Sequence, residues 1–302
     1  MTSISRFPLF LFLIMFAGVL FLQVPSPYGT AYGASPAQGK CSPLGWFPEG
    51  FGLKDHTVFK HDGFYYIASI FLPGEKKFAY GRSQDLCTWE DLGPILTERT
   101  PEDWDEMAIW APDVLEVEGV YYMYYTGVTS NFTQSIMLAT TTNPADPTSW
   151  EEQGLIFQPT HLGALWKAGY WSDCRDPHVI FANDQYYLFY TGTDVDGGIV
   201  GVASAPTPSG PWTDHGPVIP PTLGTIYESA SAFVREGTYY LTYHAMINGA
   251  SAGTFTLTSS TPDGLYTEPV HLAPGWAHEF WLDTENNWYT SYLTSYTVTI
   301  AP

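Results

Sequence analysis

Basic residues are scarce in this chain: 11 Lys and Arg stand against 31 Asp and Glu, a formal net charge of −20. A surface that acidic repels phosphate backbones and anionic lipids, so nucleic acid and anionic membranes are excluded as partners. Neutral sugars are compatible with it, as is plain solubility outside a cell. Cysteine is scarce too. Cys41, Cys87 and Cys174 allow one disulfide and leave at least one thiol over. No stretch keeps a helical period, which argues against bundles and α/β folds. Beyond residue 24 no apolar run is long enough to cross a bilayer.

One long apolar run does occur. Arg6 precedes Pro8–Val24, and small residues follow at Gly29, Thr30, Ala31, Gly33 and Ala34. A weak positive region, an apolar core and a small-residue stretch make a secretory signal; a retained membrane anchor is the alternative. The expected organisation is a signal peptide at 1–34, an N-terminal segment at 35–50 and one folded domain at 51–302. The expected product is a secreted monomer, in a compartment that permits a disulfide.

Aromatics are abundant, with 21 Tyr and 11 Trp. They favour strands, and their flat faces suit sugar rings. Their arrangement is periodic. A polar turn, a paired aromatic and an apolar strand recur five times, with the first aromatics at Tyr65, Tyr121, Tyr186, Tyr239 and Trp288. The Asp62-Gly63, Glu118-Gly119 and Glu236-Gly237 turns are hairpin signals. Four repeats continue into a third strand ending in small residues and a fourth beginning near Trp89, Trp150, Trp212 or Tyr266. Four-stranded units repeated radially make a propeller. The predicted fold is therefore all-β: a five-bladed β-propeller of four-stranded antiparallel blades. The fifth repeat lacks its outer strand, and the N-terminal stretch before Gly52 is expected to supply it, since an open ring leaves an exposed edge. Pro217–Pro221 reads as a loop between blades.

In a propeller the innermost strands converge on the axis. Their heads carry Asp55-His56, Trp110-Ala111-Pro112-Asp113, Arg175-Asp176-Pro177, Glu228-Ser229 and Trp276-Ala277-His278. Four blades thus supply a carboxylate at comparable points, and the fifth supplies His278. Clustered carboxylates repel one another and raise some of their own pKa values. A fold keeps such a cluster for chemistry or for a cation. Glycoside hydrolysis needs one protonated and one ionised carboxyl, with a third able to hold the two apart in protonation.

These segments resemble glycoside hydrolase family 43 and its relatives, the family 32 and 68 fructosidases. Trp110-Ala111-Pro112-Asp113 and Gly275-Trp276-Ala277-His278 resemble family 43 motifs, Arg175-Asp176-Pro177 a fructosidase motif, and Glu228-Ser229 a segment of both. Asp55-His56 stands where Asp-Pro is usual in these families. The resemblance runs from about Gly52 to the C-terminus. It implies Asp55 as general base or nucleophile, Glu228 as general acid and Asp176 as the residue that orients the sugar and tunes Glu228. It implies that Trp110, Asp113, Arg175, His278 and His56 contact substrate. No cofactor is required, although a structural calcium near His278 is compatible with the pattern. The implied substrate is an arabinofuranoside or xyloside in plant-type polysaccharide, cleaved with inversion. A retaining β-fructofuranosidase and a propeller that binds glycans without cutting them are the alternatives. Plain structural readings also exist: Asp113 and Asp176 could cap turns, Asp55 could be a surface acid, and His278 a hydrogen-bonded core histidine.

Overall fold

The computed structural model of the protein describes residues 44–46, 52–272, 275–283, 285–294 and 296–302. The expected signal and Cys41 lie outside these residues. A short strand, β1 (Leu44–Trp46), precedes five blades. Blade one is β2 (Leu53–His61), β3 (Phe64–Phe71), β4 (Phe78–Ser83) and β5 (Trp89–Asp91). Blade two is β6 (Ala108–Val117), β7 (Val120–Val128), β8 (Gln134–Thr141) and β9 (Glu151–Phe157). Blade three is β10 (Cys174–Ala182), β11 (Gln185–Asp194), β12 (Gly197–Ala205) and β13 (Thr213–Thr222). Blade four is β14 (Thr225–Arg235), β15 (Thr238–Ile247), β16 (Ala250–Ser259) and β17 (Val270–His271). Blade five is β18 (Trp276–Leu282), β19 (Trp288–Thr294) and β20 (Thr297–Ala301), completed by β1. Leu44 pairs with Ile300 and Trp46 with Val298, so the N-terminal strand closes the ring as expected.

The recurring sequence pattern has a direct structural cause. In blades one to four, two residues link the first two strands, and both have positive φ: Asp62 and Gly63, Glu118 and Gly119, Asn183 and Asp184, Glu236 and Gly237. These are the turns whose twist matches that of the strands they join, and they favour Gly, Asn and Asp. The paired aromatics that follow point to opposite faces, because side chains alternate along a strand. Tyr65 packs in the core shared with blade five and Tyr66 in the core shared with blade two. Tyr186 and Tyr187 likewise serve the cores on either side of blade three. Each pair therefore fastens one blade to both neighbours. Burying one such ring contributes about 2 kcal/mol.

One expectation is corrected. Pro217–Pro221 is not a loop but part of β13, the outer strand of blade three. An outer strand has one unpaired edge, where the missing proline N–H costs no ladder bond.

Candidate active site

The innermost strands β2, β6, β10, β14 and β18 each carry a register shift near their start: between Lys54 and His56, Trp110 and Asp113, Arg175 and His178, Glu228 and Ser231, Trp276 and Glu279. Aligning the strands on their pairing gives three levels. Lys54, Trp110, Arg175, Glu228 and Trp276 form the outer level. Asp55, Ala111, Asp176, Ser229 and Ala277 sit on the bulges. Thr57, Asp113, His178, Ser231 and Glu279 form the level beneath. Four bulge residues are left-handed: Ala111 (φ 44°), Asp176 (53°), Ser229 (52°) and Ala277 (53°). For residues with a Cβ this costs roughly 1 kcal/mol or more each. Bulges of this kind re-aim side chains.

The outer level and three of the bulge residues, Asp55, Asp176 and Ser229, line a cavity of about 450 Å³. Asp55, Asp176 and Glu228 share it with Trp110, Arg175 and Trp276. Ser229 ties the acids together: its hydroxyl donates to Asp55 Oδ1 (2.8 Å) and its backbone N–H to Asp176 Oδ2 (2.7 Å). Thr191 donates to the same Asp176 oxygen, and Thr126 accepts from the Asp176 N–H. Arg175 lies among the acids, donating to Asp173 Oδ1 at 2.6 Å, with Asp176 Oδ2 at 3.7 Å and Glu228 Oε1 at 3.9 Å. Trp110 is held from outside by Glu75, whose Oε2 accepts from the indole N–H (2.7 Å) while Oε1 pairs with Lys54 (2.7 Å).

The electrostatics follow from this crowding. Burial, and then the Asp176 carboxylate, lift the Asp55 carboxyl to about 7, against the pull of the Ser229 hydroxyl. Burial also raises Asp176, although the Arg175 guanidinium and the Ser229 N–H oppose it. Arg175 is buried, which disfavours its charge, but Asp173, Asp176 and Glu228 outweigh that and hold it protonated.

Five sequence candidates meet in this cavity: Asp55, Asp176, Glu228, Trp110 and Arg175. Three do not line it: Asp113, His56 and His278. Asp113 is on the level beneath, 6% exposed, its Oδ2 accepting from Val179 N–H. His56 is buried against Ser291 Oγ (2.8 Å), joining blade one to blade five, and burial lowers it to about 3. His278 is buried and stacked on Tyr292 (5.1 Å), and burial lowers it to about 4. Both histidines are neutral wedges at the seam of the ring.

Sequence reasoning missed Ser229, Lys54, Glu75, Asp173, Gln134, Trp171 and Trp276 in or around the cavity. It also missed a second cluster. On the level beneath, His178 Nδ1 lies 3.3 Å from Asp113 Oδ1 and 3.5 Å from Glu279 Oε2. His178 Nε2 donates to Ala232 O at 2.7 Å. Burial opposes the His178 charge, but Asp113 and Glu279 raise it to about 9; burial lifts Glu279 to about 8. These donors lie within 4.8 Å of one another, close enough to hold a cation. The available signal was the run Trp276-Ala277-His278-Glu279, in which the acid rather than the histidine reaches the axis.

The model of Glycosyl hydrolases family 43 matches residues 50–170. Over those residues the chain resembles the family 43 glycosyl hydrolases. It is 26% identical over 185 residues to arabinan endo-1,5-alpha-L-arabinosidase A of Aspergillus niger, covering 61% of this chain and 54% of that one. It is 33% identical over 141 residues to a xylosidase/arabinosidase of Butyrivibrio fibrisolvens, covering 44% and 23%. The chain thus spans about half the length, or less, of these relatives. Among solved structures, an alpha-L-arabinofuranosidase from Lactobacillus brevis superposes with a TM-score of 0.66 at 18% identity, over 89% of this chain and 94% of that one. That level of identity speaks for the shared propeller fold.

Proposed function

We propose that this propeller is a secreted glycoside hydrolase that cleaves arabinofuranosides or xylosides in plant-type polysaccharide, with inversion. The observation that carries the reading is the meeting of Asp55, Asp176 and Glu228, from three blades, in one cavity with Asp55 lifted to about 7. A carboxyl poised there is near the optimum for a general base at neutral pH. Ser229 occupies one oxygen of Asp55, and the other takes the proton of the attacking water. Glu228, whose side chain is 41% exposed, protonates the leaving oxygen. Asp176, fixed by Ser229, Thr191 and Thr126, orients the sugar and sets the local charge. Trp110 and Trp276 offer aromatic faces to the ring.

The matched relatives support the substrate class, since their names specify arabinan, xyloside and arabinoside. Export is supported by the disulfide at Cys87, whereas Cys174 is a free, buried thiol. No helix among the described residues is long and apolar enough to cross a membrane. For a structural calcium, which takes about six to eight ligands, waters included, the axial cluster would supply one imidazole and two carboxylates, and His278 is not part of it. The chemistry proposed uses side chains alone.

Incubation with arabinan, xylan and levan, followed by product analysis, tests the substrate class. Cleavage of levan alone would turn the reading to the fructosidase alternative, and binding without cleavage to the lectin-like one. Proton NMR of the first-formed anomer tests the stereochemistry: inversion is expected, and retention would make Asp55 a nucleophile.

A further inference from the structure

The walls of the cavity are unequal. The connections into blades two and three, residues 92–107 and 158–173, are long, whereas β13 and β14 are joined by two residues only, Leu223 and Gly224. The long connections brace each other through Trp104 and Trp166, whose rings lie 6.0 Å apart. On this high side Trp171 reaches the cavity. The residue is 65% exposed, and its indole lies flat on Phe132, at 5.0 Å and 21°.

That exposure is not slack. The chain on either side of Trp171 is pinned: Thr133 Oγ1 donates to Tyr170 O (2.7 Å), Gln134 N–H to Ser172 O (3.0 Å), and Ser172 N–H to Phe132 O (3.3 Å). The Trp171 indole N–H donates to Asp173 Oδ1 (3.2 Å), the oxygen that also holds Arg175. A large aromatic face, held open to water by a fixed backbone and wired to the acid cluster, is organised for a ligand. Its position fixes the ligand's chemistry. The face adjoins a cavity rich in carboxylates, whose cations Lys54 and Arg175 are each already paired with an acid. An anionic ligand is disfavoured there. A neutral ring with C–H bonds on one face and hydroxyls at its edge matches both the indole and its polar surroundings.

We propose that Trp171, seated on Phe132, is a second sugar subsite, so that the cavity takes at least two neighbouring residues of an oligo- or polysaccharide rather than a lone glycoside. This rests on the carbohydrate reading above and adds a chain-length requirement to it. Trp171 acts by binding, not in the bond-breaking step.

The test uses the full chain carrying Glu228→Gln, so that ligands stay intact. Affinities for monosaccharides and trisaccharides of the arabinan, xylan and levan series are measured by calorimetry, with and without Trp171→Ala. The expected result is a loss of at least ten-fold for the preferred trisaccharide with less than two-fold change for its monosaccharide. Trp171→Phe, which keeps a flat face, should recover most of the loss. Equal losses for both ligands, or no loss for the trisaccharide, overturn the subsite. Phe132→Ala gives a second route should Trp171→Ala fold poorly: it should reproduce the trisaccharide loss in part, and no effect counts against the proposal. If no sugar binds, the subsite and the carbohydrate reading fall together. If a trisaccharide binds with the Trp171 signature but the unmodified enzyme cleaves no polymer, the subsite stands and the hydrolase reading falls.

Discussion

Two acidic clusters lie one above the other along the propeller axis, built from the same five strand heads, and they handle charge in opposite ways. The upper one, Asp55, Asp176 and Glu228, opens into a cavity, and its nearest cation, Arg175, makes its closest ion pair with Asp173, at 2.6 Å, outside the trio. The lower one, Asp113, His178 and Glu279, is closed, with the imidazole between two carboxylates and hydrogen bonds out to blades three and four. The first keeps its charge only loosely paired, in reach of solvent, as chemistry requires. The second cancels its charge internally, as a buried joint requires. One residue of bulge decides which role a strand head plays.

Substitution in the upper cluster should give the largest effect. Glu228→Gln and Asp55→Asn are each expected to lower kcat/KM on polymer by about 10²–10⁴-fold, the usual worth of a positioned acid or base. Glu228→Gln should cost much less on activated aryl glycosides, which need no proton donor, while Asp55→Asn should cost as much on both. If Asp113→Asn gave the same loss with unchanged stability, the division between the two clusters would fail.

The lower cluster should show itself in stability. His178→Leu leaves two buried carboxylates without their cation and is expected to destabilise the fold by about 3 kcal/mol, read from urea melts. The double substitution of His178→Leu with Glu279→Leu should recover part of that, because no unpaired charge remains on Glu279.

How much of this was legible follows from the same bulges. The repeat was legible because two local signals coincide in each blade: a turn whose residues accept positive φ, as at Asp62-Gly63, and a pair of aromatics whose alternation serves two neighbouring cores, as at Tyr65-Tyr66. The closure by β1 followed from counting strands. The three cavity acids were legible as acids at strand heads. Their relative depth was not, because it depends on pairing with the second strand of each blade, and a one-residue change of register turns a side chain to another face. Aligned by sequence, Asp113 looked equivalent to Asp55; aligned by pairing, its counterpart is Thr57. Trp171 was invisible for another reason. It belongs to no strand, and its place at the cavity depends on how residues 158–173 pack on the Phe132 hairpin.

The clusters should also respond differently to pH. Asp55 must be ionised to act as a base, so activity is expected to rise with pH through about 7 on the acid limb of the kcat/KM profile. Stability runs the other way. With its folded pKa raised from 3.8 to about 7, Asp55 binds its proton more tightly when folded, so its contribution falls as pH rises across that interval. Asp55→Asn should therefore raise the melting temperature at pH 8 and leave it nearly unchanged at pH 4. In the lower cluster, His178, raised to about 9, contributes fully below its unfolded value of 6.5 and loses that contribution as pH rises through 9. A His178→Leu protein should have a flatter stability profile between pH 7 and 9 than the parent.

The smallest expected effect bears most directly on how the lower cluster is neutralised. Its three donors could be closed by a bound cation or by the histidine's own proton. The distances favour the proton: His178 Nδ1 is at hydrogen-bonding or ion-pair range of both carboxylates, at 3.3 and 3.5 Å. A metal at the centre would instead compete with that proton for Nδ1, and its affinity would rise as pH increases. If the proton closes the cluster, a strong chelator should shift the melting temperature by no more than about 1 °C, well under the change expected from losing even 1 kcal/mol in a domain of this size. Added zinc or calcium should not raise it. A chelator-induced fall of several degrees that zinc or calcium reverses, and that His178→Leu abolishes, would show instead that the lower cluster holds a cation.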